Sequence, residues 1–323
     1  FFTPSYAESI KNIDELRYLN ESYIKDFFKK FQELCKTKIL YNKIKDHPSY
    51  PFFGSVEDWM YVCKESLKLP KQPKVFLNKN FRYVQLSQKK GLLTGYYLPI
   101  INVSFKKNEI FKIPILKYNL KFRNIPRKEI QKKYKTSDVL LWTDDLINLF
   151  FLQIQGSGIG ILPNNQKVML AYDGNNNLEY SSIGKLMIKK KWLKKKEVSL
   201  FTIKDWLRKN PENLNNVLNY NERYIFFKLN KKTVEFTAKG ALGTELVPNV
   251  SIAIDKKFYP LGIPFLLHIK EDKTLFPVLG LDTGNAIKGP NRVDLFLGSN
   301  KNSEKIAGEL KKKNIFICID PIY

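Results

Sequence analysis

The order of helical and extended segments constrains the fold of this chain most. Apolar residues recur at helical spacing from about residue 8 to 70, where Ser55-Val56-Glu57-Asp58 forms a capping signature, and again over residues 136–151. Short extended runs occupy residues 75 to about 116 and nearly all of residues 224–296. Shorter helices are predicted at 183–191, 202–209, 211–218 and 303–311, the last before a strand at 315–319. This order predicts an α+β fold that is mostly β.

Length and composition allow one large or two medium domains. The chain has 323 residues, of which 43% are apolar and 14% aromatic, so it can bury a substantial core. No apolar run reaches the roughly 18 to 20 residues that a membrane-spanning helix needs. The start, Phe1-Phe2-Thr3-Pro4, is compatible with a mature form after removal of a signal peptide and with a shortened chain.

The formal net charge of +24 has two explanations. One is a polyanionic partner, such as nucleic acid or an acidic cell-wall surface. The other is compositional drift, because lysine far outnumbers arginine and asparagine and isoleucine are also common. Drift is favoured: sequence-specific readers of nucleic acid use arginine for bidentate contacts, the charge is spread along the chain, and no nucleic-acid motif occurs. We therefore expect no nucleic-acid partner.

Cysteine and histidine are too few for several kinds of catalytic site. Cys35, Cys63 and Cys318 match no metal-binding spacing, and we expect them to be buried free thiols. The only histidines are His47 and His268, which weakens any Ser-His-Asp or Cys-His mechanism and any histidine-rich metal site. Acid–base chemistry would therefore fall to carboxylates or tyrosines, and we expect neither a metal nor a cofactor.

Two segments carry polar or aromatic side chains that suit a sugar. In Gln153-Ile154-Gln155-Gly156-Ser157-Gly158 the amides are predicted on one face of a strand that ends in a glycine-rich turn. Such a segment is either a bulge with capping or the wall of a groove for neutral polar ligands. Tyr96 and Tyr97 supply aromatic faces that could stack on sugar rings, although aromatic residues in strands more often belong to the core.

Three aspartates lie where predicted strands meet turns. Asp255 precedes the turn at Pro260-Leu261-Gly262, and Asp282 and Asp294 stand at the two ends of the loop in Asp282-Thr283-Gly284-Asn285-Ala286-Ile287-Lys288-Gly289 and Asp294-Leu295-Phe296. Each alone is by default a turn residue, because aspartate side chains hydrogen-bond nearby backbone. Together they are candidate carboxylates for acid–base chemistry.

Taken in order, these segments resemble the membrane-bound lytic murein transglycosylases of type A, whose C-terminal part is the 3D domain, named for three aspartates. The resemblance extends from about residue 90 to 300 and includes Thr94-Gly95-Tyr96-Tyr97, the run from Phe150 to Gly158, Ala171-Tyr172-Asp173-Gly174, Asn221-Glu222-Arg223-Tyr224, Asp255 with Pro260-Leu261-Gly262, and the Asp282 and Asp294 motifs.

The resemblance implies a fold and domain boundaries. A double-psi β-barrel domain with N-terminal helices would carry a second β-rich domain inserted into it, with the substrate in a groove between them. Residues 1–103 would form the helices and the first part of the barrel domain, residues 104–232 the inserted domain, and residues 233–323 the barrel's 3D domain.

The resemblance also implies an activity. The family cleaves the β-1,4 bond between N-acetylmuramic acid and N-acetylglucosamine in peptidoglycan and leaves a 1,6-anhydro sugar without using water. Asp294 would act as acid and then base, Asp282 would be its charged neighbour, and Asp255 would support the structure. Substrate contacts would come from Tyr96, Tyr97, Gln153, Gln155, Ser157 and Lys288.

The expected partners and location follow from the same resemblance. The partner would be the glycan strands of peptidoglycan, the protein would be a monomer, and it would lie in the periplasm of a Gram-negative bacterium. Association with the outer membrane would depend on an N-terminal segment absent from this sequence. Two alternatives remain: a glycoside hydrolase, or a non-catalytic peptidoglycan-binding protein on the same fold.

Overall fold

The computed structural model describes residues 8–10, 21–68, 73–85, 91–230, 238–269, 274–300 and 302–322. The chain forms two compact units. The first unit comprises Phe1–Tyr96, Lys239–Gly298 and Leu310–Tyr323, and the second comprises Tyr97–Ala238 and Ser299–Glu309. Helices and strands are mixed along the chain, which confirms the predicted α+β class. No helix among the described residues is both long and apolar enough to cross a membrane.

The first unit contains four helices near the N-terminus and one large sheet in the part of the chain that the structure describes. With elements numbered in chain order, its helices are α1 (Glu21–Cys35), α2 (Ile39–Lys45), α3 (Val56–Lys68) and α4 (Pro73–Asn80). Its strands are β1 (Glu8–Ile10), β2 (Phe81–Gln85), β3 (Gly91–Tyr96), β10 (Ser251–Ala253), β11 (Pro264–Ile269), β12 (Thr274–Asp282), β13 (Arg292–Phe296) and β14 (Lys311–Pro321).

The sheet of the first unit has the order β1-β2-β14-β11-β12-β10-β13-β3, and β14 pairs with β3 as well. The pairings of β10 with β12 and of β13 with β3 are parallel, and the others are antiparallel. Every residue of β10 is buried, and β11 is buried except at His268. Burial on both faces explains why these strands read as continuous apolar runs.

Aromatic side chains build the core beneath the N-terminal helices. Phe31 of α1 makes edge contacts with Trp59 of α3 and with Phe81 of β2, at ring-centroid distances of 6.5 and 6.1 Å. The predicted cap of α3 is confirmed, because Ser55 Oγ accepts from the backbone N–H of Asp58 and the Asp58 carboxylate accepts from that of Ser55.

The prediction of three free thiols was wrong for two of them. Cys35, the last residue of α1, and Cys63, within α3, form a disulfide with a Cα–Cα distance of 5.2 Å. Their separation of 28 residues gives no signal of pairing, since the packing of α1 against α3 is what brings the sulfurs together. Cys318 is a buried free thiol, as predicted.

The second unit contains a six-stranded sheet and several helices within the described residues. Its strands are β4 (Ile100–Ser104), β5 (Ile113–Leu116), β6 (Val139–Thr143), β7 (Gly158–Ile161), β8 (Lys167–Asn175) and β9 (Ile225–Asn230), in the order β5-β6-β4-β7-β8-β9. Its helices are α5 (Arg127–Lys133), α6 (Leu146–Gln155), α7 (Ile183–Lys189), α8 (Leu200–Lys209), α9 (Pro211–Tyr220) and α10 (Ser303–Glu309), with 3-10 turns at Leu120–Phe122 and Thr136–Asp138.

Helix α6 lies between two apolar clusters of the second unit. Leu149 and Leu152 face the sheet, where they pack with residues of β4, β6 and β8. Phe150 and Phe151 face the other way and pack with the buried sides of α7, α8 and α9. The helix is therefore apolar on most sides, as expected for a helix covered on both faces.

The boundaries of α6 correct two sequence predictions. Residues 136–151 were predicted as one helix, but residues 139–143 form β6. This strand pairs with β4 on one side and with β5 on the other, and both pairings bury its apolar residues in the sheet. The amides of 153–155 were predicted on a strand, but they form the end of α6. Gly156 closes the helix with a left-handed φ of 85°.

Smaller differences concern α4 and β8. Helix α4 covers residues 75–80, where extended runs were predicted, and β8 continues through Asp173 and Gly174 by means of a bulge. Helices α7 to α10 confirm their predicted positions, and β14 is longer than the predicted strand. The apolar spacing predicted as helical over residues 11–20 lies outside the described residues.

Candidate active site

Strand β10 brings the Asp282 and Asp294 backbones to the same level of the first unit's sheet. Ala253 of β10 pairs with Asp282 of β12 on one side and with Asp294 of β13 on the other. Strands in a sheet lie about 4.8 Å apart, so the two aspartate backbones are roughly 10 Å apart across β10. On its other side Asp294 is the partner of Thr94 in β3. Residues 200 positions apart thus form one row of side chains.

Asp294 accepts a hydrogen bond that limits how far its pKa rises. Thr94 Oγ1 donates to Asp294 Oδ1 at 2.5 Å, and Arg292 donates to the same Thr94 oxygen at 2.7 Å. Burial raises the pKa of Asp294 to about 6, opposed by the Thr94 hydrogen bond and the Arg292 charge, while the charge of Asp282 adds to the rise. The carboxyl group therefore holds a proton at mildly acidic pH, far above the usual range of aspartate.

Asp282 is surrounded by donors. Its Oδ1 accepts from the backbone N–H groups of Thr283, at 2.8 Å, and Ala241, at 2.9 Å, and its Oδ2 accepts from the Tyr96 hydroxyl at 3.0 Å. Burial raises the pKa of Asp282, and these three donors oppose the rise because they stabilise the carboxylate. Burial and the Asp282 charge in turn raise the pKa of Tyr96 well above its usual value, so its hydroxyl stays a donor.

Asp255 fixes a loop. Its side chain is 6% exposed and accepts from the backbone N–H groups of Gly289, at 2.8 Å, and Lys257, at 3.1 Å. Gly289 ends the loop that begins at Asp282 and adopts a left-handed φ of 95°, which favours glycine. Lys288, next to it, is exposed. The third aspartate thus holds the backbone between the other two.

The remaining candidate residues lie in the second unit, with the exception of Tyr96. The Gln155 side chain accepts from the backbone N–H of Tyr97 at 3.2 Å, and Ser157 Oγ accepts from the backbone N–H of Tyr172 at 3.2 Å. Tyr97 is 5% exposed and its hydroxyl donates to Glu304 at 3.0 Å. Gln153 is 3% exposed and its amide nitrogen donates to the Ile225 carbonyl.

Three residues with a structural part in these sites were not singled out in the sequence. Thr94 belongs to a motif of the resemblance that assigns it no role, and Arg292 belongs to none of the motifs. The signal for Arg292 is its position two residues before Asp294 in a strand, which places both on one face. Arg127 is buried between the rings of Phe150 and Tyr224 and donates to Gln153, and burial lowers its pKa to about 10. No sequence pattern marks it.

Comparisons with known proteins agree with the motif order. The profile of the MltA specific insert domain matches residues 92–228, and that of the 3D domain matches residues 250–320. A membrane-bound lytic murein transglycosylase A homolog of Buchnera aphidicola is 33% identical over 255 residues, which cover 72% of this chain and 68% of that protein. The chain belongs to the membrane-bound lytic murein transglycosylase A family. The Vibrio cholerae member is 32% identical over 68% of this chain and 62% of its own length.

Solved structures of the MltA family show the same fold. The membrane-bound lytic murein transglycosylase of Agrobacterium tumefaciens superposes with a TM-score of 0.82 at 20% identity, covering 98% of this chain and 97% of that one. Escherichia coli MltA with bound chitohexaose gives a TM-score of 0.76 at 21% identity, covering 99% and 95%. Neisseria gonorrhoeae MltA gives a TM-score of 0.70 at 25% identity, and the match covers 92% of this chain and 88% of that one.

Proposed function

We propose that this protein is a lytic transglycosylase that cleaves the β-1,4 bond between N-acetylmuramic acid and N-acetylglucosamine in peptidoglycan and leaves a 1,6-anhydro end. Membership of the MltA family supports the activity. The observation that carries the mechanism is Asp294, a carboxyl group with a pKa of about 6 that is held by Thr94. Its proton is available for transfer close to neutral pH.

One carboxyl group is enough for this reaction. Asp294 donates its proton to the oxygen that leaves with N-acetylglucosamine, as the bond from that oxygen to C1 of N-acetylmuramic acid breaks. The 6-hydroxyl of the same muramic acid then forms the new bond to C1 and gives its proton to the Asp294 carboxylate. The protein ends as it began, and no water is consumed. A hydrolytic mechanism would need a second carboxylate as nucleophile or as base for a water molecule.

Asp282 is the proposed electrostatic partner. Its two backbone donors and the Tyr96 hydroxyl favour its ionised form. A negative charge in the same row of side chains favours the proton on Asp294 and stabilises positive charge that develops at C1 in the transition state. Asp255, through Gly289, keeps the loop between the two in place.

The glycan contacts remain a proposal. Lys288, Ser157 and Tyr96 are exposed or half-buried and suit direct contact with sugar hydroxyl or acetamido groups. Burial of Tyr97 and Gln153 favours a positioning role for both, and Gln155 would position Tyr97 through its backbone. Chitohexaose bound to the E. coli relative is consistent with an oligosaccharide substrate.

We also propose that the first unit is a double-psi β-barrel and that the second unit is inserted into it, with boundaries at residues 1–103, 104–232 and 233–323. The pairing order supports the barrel, because β3, β13, β10, β12, β11 and β14 lead from strand to strand and β14 pairs with β3 again. The buried side chains of β10 and β11 are available to fill the interior of such a barrel.

The proposed location is the periplasm, at the outer membrane, and relatives named as membrane-bound enzymes support attachment to a membrane. The Cys35–Cys63 disulfide supports an oxidising compartment, since such bonds are rare where thiols are kept reduced. We propose that the protein acts there as a monomer on peptidoglycan glycan strands.

Mass spectrometry of digested peptidoglycan tests the function. The wild-type protein and the Asp294→Asn variant would each be incubated with purified peptidoglycan. Asp205→Asn is the matched control, because Asp205 is 62% exposed on α8 and, among the described residues, forms an ion pair with Lys209 alone. We expect wild type and control to release fragments one water lighter than hydrolysis products, and Asp294→Asn to release none.

The alternatives give different products. Reducing ends would identify a glycoside hydrolase and require a second working carboxylate. Binding without any cleavage by the folded wild-type protein would identify a non-catalytic peptidoglycan-binding protein. Undiminished anhydro products from Asp294→Asn would keep the activity but remove Asp294 from its proposed role.

A further inference from the structure

The second unit contains a pocket that the proposed reaction does not use. Its volume is about 250 Å³, and it is lined by residues of β4, α6, α8 and α10 together with Tyr97 and Pro99. Phe201 and Ile100 form an apolar part of the lining and are 40% and 45% exposed. Lys204, Arg208 and Glu304 supply charges of both signs. We call this the α8–α10 pocket.

Glu304 offers one carboxylate oxygen to the pocket. Its Oε1 accepts from Lys204 at 2.5 Å and from the Tyr97 hydroxyl at 3.0 Å. Within the part of the chain that the structure describes, no group donates to its Oε2. The Glu304 side chain is 37% exposed, so this oxygen can receive a donor from a ligand. A carboxylate accepts several hydrogen bonds, and a bond from a charged donor such as an ammonium group is about twice as strong as one from a neutral donor.

Arg208 offers a positive charge at the same pocket. One of its nitrogens lies 3.4 Å from Asp145 Oδ2, and the side chain is 53% exposed. A guanidinium group has five N–H hydrogens, so this single long contact leaves most of them for a ligand. Lys204, by contrast, already donates to Glu304 and to Asn148 and is 11% exposed. It fixes Glu304 in place and is not the main ligand contact.

We propose that the α8–α10 pocket binds an α-amino acid head group, with Arg208 receiving its carboxylate and Glu304 its ammonium group. The apolar surface of Phe201 and Ile100 takes the aliphatic chain that carries them. The inference rests on the proposed function for the source of the ligand. The ligand is the peptide that peptidoglycan strands carry, and the pocket binds a residue of it whose side chain ends in an ammonium and a carboxylate on one carbon.

Size and charge decide against other ligands of the same polymer. Pockets for drug-sized ligands measure roughly 300 to 1,000 Å³, so a 250 Å³ pocket holds one residue and not a chain of sugars. A neutral sugar would leave Arg208 and Glu304 without matching charges. A ligand with only a carboxylate would meet Glu304 with a like charge, which is unfavourable.

Direct binding of a small peptide tests the proposal. The probe is a tripeptide whose last residue is diaminopimelic acid, and isothermal titration calorimetry with the full chain measures its affinity. We expect Arg208→Gln to weaken binding about tenfold or more, which corresponds to about 1.4 kcal/mol. When the side-chain ammonium of the same probe is acetylated, its affinity for the wild-type protein should fall by a similar factor, because Glu304 then lacks its charged donor.

Lys209→Gln is the matched control. Lys209 follows Arg208 on α8, has the same charge, is 71% exposed and pairs with Asp205 outside the pocket. Its substitution should change the probe affinity less than about twofold. Thermal unfolding of each variant checks that the fold is retained. Because the Arg208 side chain is 53% exposed, we expect its substitution to leave the unfolding temperature nearly unchanged.

The results separate this inference from the proposed function. Failure of the wild-type protein to bind the probe, or equal binding by Arg208→Gln and wild type, overturns the peptide pocket. Peptidoglycan cleavage is measured independently on the same preparations. Probe binding without cleavage would sink the transglycosylase proposal and leave the pocket standing, and cleavage without probe binding would do the reverse.

Discussion

Asp294 shows how a few contacts set the protonation of one carboxyl group. Desolvation favours the neutral form, and the Thr94 hydroxyl and the Arg292 charge favour the ionised one. The balance gives a pKa of about 6. If the protonated form starts the reaction, kcat/KM falls as the pH rises above this value, because the free enzyme then lacks the proton.

Thr94→Val should move that decline to higher pH. The substitution removes the donor that stabilises the Asp294 carboxylate, so the pKa of Asp294 rises. A hydrogen bond to a charged group contributes roughly 1.5 to 3 kcal/mol, so we expect a shift of about one pH unit. The measurement is kcat/KM against pH on soluble peptidoglycan fragments.

Thr143→Val is the control for this prediction. The Thr143 hydroxyl is buried and donates to the Asn102 carbonyl in the second unit, so the variant loses a comparable bond without touching Asp294. Its pH profile should match that of the wild type. A Thr94→Val profile that is unmoved, or displaced to lower pH, would mean that Arg292 takes over as direct donor to Asp294.

The disulfide joins α1 to α3, two helices that contact strands of the first unit's sheet. The bridge closes a segment with a sequence separation of 28 residues. Cross-linking restricts the unfolded chain more than the folded one. In the chain-entropy model, a loop of this length raises the free energy of unfolding by about 3 to 4 kcal/mol. The helices also pack through Phe31 and Trp59, which does not depend on the bridge.

Reduction of the disulfide should lower the free energy of unfolding by about 3 to 4 kcal/mol. Urea unfolding of the wild-type protein with and without a reducing agent measures the difference. The double variant Cys35→Ser, Cys63→Ser keeps Cys318 and serves as control, because reducing agent should not change its unfolding. Identical wild-type curves under both conditions would show that the two thiols are not joined.

At the scale of the whole molecule, the chain returns to the second unit near its end. Ser299–Glu309 belongs to that unit although the segments on both sides belong to the first. Glu304 of this segment neutralises Lys204, whose side chain is 11% exposed and whose ammonium lies over the Phe151 ring. A buried ammonium without a partner destabilises the fold, so Glu304 of α10 stabilises α8 by pairing with Lys204.

Glu304→Gln should therefore destabilise the second unit. Loss of one partner of a fully buried ion pair costs about 3 to 5 kcal/mol, and the 37% exposure of Glu304 reduces the expected loss to roughly 1 to 2 kcal/mol. Hydrogen exchange of the α8 backbone should become faster and urea unfolding should occur earlier. Glu309→Gln, on the exposed end of the same helix, should change neither, and an equal effect of both variants would contradict this role of Glu304.

Secondary structure was predictable wherever local signals agreed with the final packing. Ser55, Ser182 and Ser199 cap α3, α7 and α8 with their own side chains, so the local sequence was sufficient to predict where these helices begin. The strand β6 was not predictable, because an apolar run of five residues fits either a helix or a strand until neighbouring strands are in place. The end of α6 was missed for the same reason.

By itself the sequence determined the α+β class, the family and the aspartates that carry the candidate chemistry, because motif order and residue type are properties of the chain alone. The tertiary structure decided which groups those aspartates meet. Thr94 reaches Asp294 across 200 residues, and Cys35 reaches Cys63 through helix packing. The pKa of a carboxyl group and the pairing of a thiol depend on distance and burial, and only the folded chain brings these partners together.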